Sequence, residues 1–251
     1  MKTVYNWYDY RMSRILQERS SNEVSLEKTL IPKGTVMRLY NSKEGKIFLG
    51  KYGFDYPLMR LREGDGLWMS DSQLEVESLL TPIAMARGDV LVGGLGIGLL
   101  PVFIRNKRSV SKIDIVEINQ DIIDTVFDQI FNRKMRVIHD DIFHYLETTS
   151  ERYDFIHIDI WPDILAPIRE TERVRRAASR CLKPRGRTWV WLEELCERVR
   201  NKLPKVPIEN QGLNVHEPCL ICGKTVRYDF AGLCMDCADL MGISDLYIKR
   251  E

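Results

Sequence analysis

The chain has 251 residues, of which 44% are hydrophobic and 29% are charged, as in an ordinary globular protein with a sizeable core. Its 37 lysines and arginines are balanced by 36 acidic residues, for a net charge of +1. The protein is therefore not a polycation, and any binding to nucleic acid must come from a local basic patch. No apolar run reaches the roughly 20 residues of a membrane-spanning helix, and the polar N-terminus does not resemble a signal peptide. We therefore expect no membrane partner and a cytoplasmic location.

The N-terminal region predicts two kinds of structure. Residues 5–20 carry apolar side chains at helical spacing and predict a short amphipathic helix. Residues 34–70 contain three β-forming segments, TVMRLY, KIFLGKY and PLMRLRE, separated by turn signals. This region therefore predicts a small antiparallel β subdomain.

The next segment, 71–86, predicts a single helix. Asp71 or Ser72 is the expected N-cap, and Glu75 stands three residues after Ser72, the spacing of a capping box.

From residue 89 onward, apolar strands alternate with helices. This pattern predicts βαβ units with right-handed crossovers and a parallel sheet that is buried on both faces. The predicted strands are DVLVGG, KIDIVEI, MRVIHD, YDFIHIDI and GRTWVWL, and the helix before the last of them is predicted over about 165–182.

A glycine-rich loop follows the first of these strands, in DVLVGGLGIGLLP at 89–101. Doubly wound sheets bind ligands at this edge. Gly94, Gly96 and Gly98 give the spacing Gly-x-Gly-x-Gly, and Leu99 stands where a dinucleotide fingerprint needs its third glycine. A P-loop would require a Gly-Lys-Ser/Thr ending, which is absent. S-adenosylmethionine, which has no pyrophosphate, fits this loop best; a tight turn that binds nothing is the alternative.

Acidic residues end the next two strands. Glu117 lies about 20 residues after the glycines, where a carboxylate can accept hydrogen bonds from both ribose hydroxyls. Asp140 and Asp141 follow the third strand, where a carboxylate can accept from the adenine amine and the next backbone N–H can reach a ring nitrogen. Each acid alone is equally compatible with a loop or a helix cap, but their repetition at successive strand ends favours an adenosyl cofactor.

The motifs VLVGGLGIG, VEIN, HDDIFHYL and YDFIHIDIWPD together resemble class I S-adenosylmethionine-dependent methyltransferases, and within them the spermidine-synthase-like branch. The resemblance covers roughly residues 34–195 and implies a small N-terminal β subdomain before a Rossmann-like sheet. It implies the following cofactor-binding residues: Gly94, Gly96, Gly98, Glu117, Ile118, Asp140, Asp141, Ile142 and Asp159.

The chain departs from the patterns of that branch at three places. Val92 stands where methyltransferases often have an acid before the glycines, and Ile97 stands where aminopropyltransferases have an aspartate. The segment Asp159–Asp163, DIWPD, replaces the Asp-Ser-Ser-Asp box with which aminopropyltransferases handle the polyamine. Ile97 and the altered box argue against polyamine synthesis and so favour methyl transfer, whereas Val92 and Ile97 argue for a core that has lost its catalytic function.

The catalytic candidates lie in the same segment. Methyl transfer is an in-line displacement that depends mainly on positioning, and a base is needed only where the nucleophile arrives protonated. We expect Asp159 and Asp163 to orient or deprotonate an amine or hydroxyl, although either can instead cap the helix that follows. Trp161 and Trp68 are the expected substrate-side residues, whereas His157 is interpreted as a structural strand residue.

Four cysteines near the C-terminus form two Cys-x-x-Cys pairs: Cys219, Cys222, Cys234 and Cys237. Two such pairs can surround one tetrahedral ion, and four thiolates leave no open position, so a structural zinc is expected. A module of this size buries too little apolar surface to fold without its metal. The predicted zinc ribbon is a candidate contact for nucleic acid or protein.

The sequence thus predicts an α/β fold: a Rossmann-like, doubly wound, mostly parallel sheet with a small N-terminal β subdomain and a C-terminal zinc ribbon. The expected domains are 1–70, 71–203 and 213–251. The leading hypothesis is an S-adenosylmethionine-dependent methyltransferase with an unidentified acceptor. An aminopropyltransferase that uses decarboxylated S-adenosylmethionine and a non-catalytic nucleic-acid- or protein-binding module are the alternatives.

Overall fold

The computed structural model describes the following residues: 11–41, 46–51, 55–64, 66–161 and 168–191. Asp163 and the four paired cysteines lie outside these ranges, so the zinc ribbon stays a prediction from the sequence. Within the described residues, no helix is both long and apolar enough to cross a membrane.

The N-terminal part is built from antiparallel strands after one short helix, α1 (Met12–Ile15). Four strands form a sheet in the order β1–β2–β5–β6: β1 (Arg19–Ser21), β2 (Val24–Ile31), β5 (Tyr56–Glu63) and β6 (Gly66–Ser70). The other two, β3 (Val36–Asn41) and β4 (Lys46–Lys51), pair with each other as a separate ribbon. The strands predicted over 34–70 are therefore present.

Residues 5–10 of the helix predicted over 5–20 lie outside the described ranges, and its C-terminal part is wrong, because α1 ends at Ile15 and β1 begins at Arg19. β1 forms a hairpin with β2, a strand that the sequence interpretation missed. The turn between them is tight, with Asn22 at a φ of 45°. An asparagine tolerates this left-handed conformation, so the segment SSN is the turn signal that was overlooked.

The helix predicted over 71–86 is divided into α2 (Gln73–Ser78) and α3 (Leu80–Met85). The capping box centred on Ser72 is also wrong. Glu75 Oε1 instead accepts hydrogen bonds from the backbone N–H and the hydroxyl of Ser70, at 3.0 and 3.1 Å. The carboxylate of Asp71 accepts from the backbone N–H groups of Met12 and Met59, so it joins α1 to β5.

The rest of the described chain forms a parallel sheet of five strands in the order β11–β10–β7–β8–β9. The strands are β7 (Gly88–Gly93), β8 (Val110–Glu117), β9 (Met135–His139), β10 (Tyr153–Ile158) and β11 (Leu182–Val190). The helices between them are α4 (Leu99–Ile104), α5 (Gln120–Ile122), a π-helical turn (Ile123–Phe127), α6 (Asp128–Ile130), α7 (Ile142–Thr148) and α8 (Ile168–Ser179). The predicted α/β fold is confirmed for these residues, and the strand order reverses between β7 and β10.

Alternating side chains of the parallel strands pack into two cores. In β7, Val90 and Val92 face a core shared with α4, with α5 to α6 and with the antiparallel sheet, whereas Leu91 faces a core shared with α7 and α8. Both faces of the sheet are thus buried, as the continuous apolar runs predicted. Phe155 of β10 belongs to the first core, so His157, two residues later, lies on that same face.

Candidate functional site

A cavity of about 440 Å³ lies at the carboxyl edge of the parallel sheet. All five strands contribute to it at or just after their last residue, through Gly94, Glu117, Asp140, Asp159 and Trp191. The volume suits a small ligand, and the site lies where the strand order reverses, which is where open α/β sheets bind their ligands.

The glycine loop lies against this cavity, but its three glycines have different surroundings. Gly94 and Gly96 line the cavity, with φ angles of +92° and +49°. A Cβ on Gly94 would overlap the carbonyl oxygen of Asp159, and one on Gly96 would overlap the sulfur of Met69. Gly98 is the N-cap of α4 and packs against Ile130, away from the cavity lining. The structure therefore assigns Gly98 to helix packing.

Glu117 is 6% exposed and lines the cavity. Its Oε2 accepts from the backbone N–H of Leu95 at 2.7 Å, and its Oε1 accepts from that of Asn119 at 2.9 Å. Each carboxylate oxygen can accept a second hydrogen bond. Glu117 therefore holds the glycine loop against β8 and keeps acceptor capacity for two hydroxyl groups.

Asp140 and Asp141 both line the cavity, and both already have local partners. Asp141 Oδ1 accepts from the N–H groups of Phe143 and His144 and so caps α7. Asp140 contacts the His144 ring at 2.9 Å. Because the cap uses only Oδ1 of Asp141, Oδ2 is the oxygen suited to a ligand amine. Ile118 and Ile142 complete this side of the cavity.

Two carboxyl groups in the cavity have raised pKa values. Burial raises the pKa of Asp159 to about 7. Burial, with a smaller contribution from the negative charge of Asp159, raises the pKa of Glu75 to about 8, against the hydrogen bonds from Ser70. Because the pKa of Glu75 lies above that of Asp159, Glu75 is the group that keeps its proton and Asp159 the group that ionises first near neutral pH. The cavity thus contains both a proton donor and a proton acceptor.

His157 lies in the floor of the same cavity and is only 1% exposed. Its Nδ1 is buried without a hydrogen-bond partner among the described residues. Burial lowers the pKa of this histidine to about 3, so its ring is neutral. A buried ring nitrogen with no partner is unusual, and it is suited to a ligand or water that enters the cavity.

Aromatic side chains form much of the remaining wall. Trp161 and Trp68, the predicted substrate-side residues, both line the cavity, and Trp191 joins them from the end of β11. Trp191 is held by a 2.7 Å hydrogen bond from its indole N–H to the hydroxyl of Ser78. Asp163 lies outside the described residues, so its predicted role stays a prediction.

The structure adds residues that sequence reasoning missed. The sequence assigns Glu75 to a capping box and His157 to a structural strand position, and no motif points to Met69 or Trp191. Met69 and Glu75 precede Gly94 by more than 15 residues, and neither belongs to a cofactor-binding motif. The one available signal was the buried histidine near the end of an apolar strand, because histidine is uncommon there.

No protein-family model matches the chain, and no curated protein matches it. Among solved structures, spermidine synthase from Thermotoga maritima is similar at 14% identity and a TM-score of 0.43, over 68% of this chain and 67% of that one. The DhpI–SAH complex is similar at 15% identity and a TM-score of 0.38, over 46% of this chain. The N-methyltransferase NodS from Bradyrhizobium japonicum is similar at 14% identity and a TM-score of 0.37, over 46% of this chain and 65% of that one. The chain spans 55% of the DhpI chain, and identities this low leave its function to be inferred from its own residues.

Proposed function

We propose that this protein is an S-adenosylmethionine-dependent methyltransferase. The observation that carries the proposal is the cavity at the strand-order reversal, which combines a glycine loop with carboxylates from the ends of β8, β9 and β10. The residues present fit the cofactor: Glu117 suits the ribose hydroxyls, and Asp141 with Ile118 and Ile142 suits the adenine. The cofactor would supply an electrophilic methyl group on a sulfonium.

The chain's own residues would bind the acceptor and manage its proton. Asp159 follows β10, next to Gly94, and its raised pKa of about 7 gives it substantial amounts of both protonation states at neutral pH. A carboxylate of this kind can orient an amine or hydroxyl and take its proton as the nucleophile attacks. Trp68 and Trp161 would exclude water and contact the flat parts of the acceptor.

Calorimetry with S-adenosylhomocysteine tests the cofactor assignment. Wild-type protein should bind it, and Glu117→Ala should reduce the affinity at least about 100-fold, because two charge-assisted hydrogen bonds are lost. Glu117→Gln keeps one acceptor oxygen, so its affinity for S-adenosylhomocysteine should fall less than that of Glu117→Ala. Glu151→Ala is a suitable control, since that exposed carboxylate pairs with Lys112, a residue that does not line the cavity.

Folded wild-type protein that binds neither S-adenosylmethionine nor S-adenosylhomocysteine would contradict the proposal. It would favour the non-catalytic binding module instead. If Glu117→Ala binds S-adenosylhomocysteine as tightly as wild type does, Glu117 does not bind the ribose, although the cavity can still bind the ligand.

One observation favours aminopropyl transfer as the second candidate. Five carboxyl groups line the cavity, Glu75, Glu117, Asp140, Asp141 and Asp159, whereas no lysine or arginine does so among the described residues. A ligand tail that carries an amine without a carboxylate would therefore meet a complementary charge. Tighter binding of decarboxylated S-adenosylmethionine than of S-adenosylmethionine would support this alternative.

A further inference from the structure

Four backbone N–H groups of the glycine loop, those of Gly94, Leu95, Ile97 and Gly98, have partners within the protein. Gly94 donates to the carbonyl of Val116 at 2.9 Å, and Gly98 donates to that of Leu95 at 2.8 Å. Leu95 itself donates to the carboxylate of Glu117. Each of these three donors thus has an oxygen acceptor.

The N–H of Ile97 differs, because it donates to the thioether sulfur of Met69 at 3.1 Å. A thioether is a weak hydrogen-bond acceptor compared with a carbonyl or a carboxylate. The same sulfur covers Gly96, where it fills the space that a Cβ would take. Of these loop donors, the N–H of Ile97 is therefore the one from which a ligand oxygen can most easily displace the present partner.

A β-bulge in β6 brings Met69 to this position. Met69 pairs with Leu61 and Leu67 pairs with Arg62, so Trp68 is the extra residue of the bulge. Consecutive residues of a regular strand point to opposite faces, yet Leu67, Trp68 and Met69 all line the cavity. The bulge changes the direction of these side chains, as bulges beside functional sites commonly do.

We propose that Met69 is an internal competitor for the glycine loop and thereby determines the affinity for ligands that carry a carboxylate tail. Its thioether holds the Ile97 N–H and covers Gly96 until an oxygen of the tail takes the donor and the side chain moves aside. Because this internal contact must be broken first, the apparent affinity is lower than that of an open loop. The inference rests on the proposed function, since it takes the tail to be that of an S-adenosylmethionine-like ligand.

The charge of the cavity makes this donor important. A tail carboxylate finds no cationic side chain among the described lining residues, so it depends on backbone N–H groups. A nucleoside without the tail does not need the Ile97 donor. The two kinds of ligand should therefore respond differently to the loss of the Met69 thioether.

Calorimetry on Met69→Leu and Met69→Ala, with S-adenosylhomocysteine and with tail-free 5′-methylthioadenosine, tests the proposal. Leucine removes the acceptor but keeps most of the volume, whereas alanine removes both. Both variants should bind S-adenosylhomocysteine more tightly, by about two- to ten-fold, which is the range of one net hydrogen bond. Their affinity for 5′-methylthioadenosine should stay within about two-fold of wild type. Met85→Ala is the matched control, because Met85 is another half-buried methionine that does not line this cavity.

Hydrogen exchange in the ligand-free protein gives a second readout. The Ile97 amide should exchange faster in Met69→Leu than in wild type, since its acceptor is gone. Unchanged exchange, weaker binding of S-adenosylhomocysteine, or an equal change for both nucleosides would overturn the role of Met69. Binding of neither nucleoside by wild type or variants would instead overturn the proposed function, and this inference with it.

Discussion

At the residue scale, Gly94 shows how closely two strands meet at the candidate site. Its φ is +92°, and the carbonyl oxygen of Asp159 occupies the space where a Cβ would lie. The N–H of Asp159 also donates to the carbonyl of Gly93 at 2.9 Å. The glycine therefore lets the end of β10, and with it Asp159, lie directly beside the end of β7.

Gly94→Ala should destabilise the protein by about 2–5 kcal/mol and abolish ligand binding, because left-handed strain adds to a backbone overlap. Gly34 is a matched control, with a similar φ of +87° and no atom within 4 Å of the position that a Cβ would take. Gly34→Ala should lower the free energy of unfolding only by the cost of the left-handed backbone, about 1–2 kcal/mol. Urea unfolding and calorimetry measure both effects, and equal losses in the two variants would contradict the close approach.

The acids of the site show what a motif alone cannot distinguish. The sequence predicted ligand contacts for Glu117 and Asp141, and the structure shows that each also has a structural role, in the loop and in the α7 cap. A carboxylate at the end of a parallel strand can accept from backbone N–H groups or from a ligand, so the motif alone does not distinguish the two roles. The predicted ligand contacts stay predictions, and the binding experiments above test the one for Glu117.

At the element scale, β8 carries a buried charge in an otherwise apolar run. Asp114 is fully buried and accepts hydrogen bonds from Arg136 at 3.1 and 2.8 Å and from the Tyr153 hydroxyl at 2.8 Å. Lys112 lies 3.1 Å from the same carboxylate. Burial alone would raise the pKa of Asp114, but these partners outweigh it and hold the pKa below its usual value. The network joins β8 to β9 and β10 on the face that α7 and α8 cover.

Asp114→Asn should lower the free energy of unfolding by about 3 kcal/mol, near the low end for a broken buried pair because Arg136 is half exposed. Glu147→Gln provides the control, since its contact with Arg173 is exposed and 3.9 Å long. That change should cost less than about 1 kcal/mol. Similar losses for both variants in urea unfolding would show that the Asp114 network adds little.

The elements themselves were predictable to different degrees. The strands and most helices of the parallel sheet followed from their apolar runs, because strands buried on both faces carry a strong and local signal. The hairpin of β1 and β2 was missed, since β1 has only three residues and depends on its partner strand. The division between α2 and α3 was missed as well, although Pro82 gives a signal for it, because proline has no N–H to donate to the carbonyl of Ser78, four residues earlier, where α2 ends.

At the scale of the whole molecule, contacts between the two sheets build the candidate site. Met69 from the antiparallel sheet reaches the glycine loop, and Glu75 from α2 faces the cavity with Asp159. Burial raises the pKa of three carboxyl groups in this region: Asp71 to about 6, Asp159 to about 7 and Glu75 to about 8. These three groups consequently hold more protons in the folded protein than in the unfolded chain between about pH 4 and pH 8, whereas His157, whose pKa is lowered from 6.5 to about 3, holds fewer between those two values.

Stability should therefore fall as the pH rises from about 5 to 9, since the raised carboxyl groups lose their protons in the folded state. Glu75→Gln removes one of these groups, so its free energy of unfolding should fall less than that of wild type over this range. The difference in free energy of unfolding, variant minus wild type, should increase up to about pH 8 and then stay constant. Thermal unfolding at several pH values measures this, with about 2–4 °C for each kcal/mol at this size. A variant curve parallel to wild type would contradict a buried, protonated Glu75.

The α/β architecture, the glycine loop and the acids at the strand ends can be predicted from the sequence, because apolar periodicity and loop spacing are local properties of the chain. The presence of Met69, Glu75, His157 and Trp191 in one cavity with Asp159 becomes visible in the folded chain alone. Those residues come from distant segments, and the packing of the antiparallel sheet and α2 against the carboxyl edge of the parallel sheet brings them together. The same packing explains the raised pKa values, since burial is a property of the folded chain and not of any one segment.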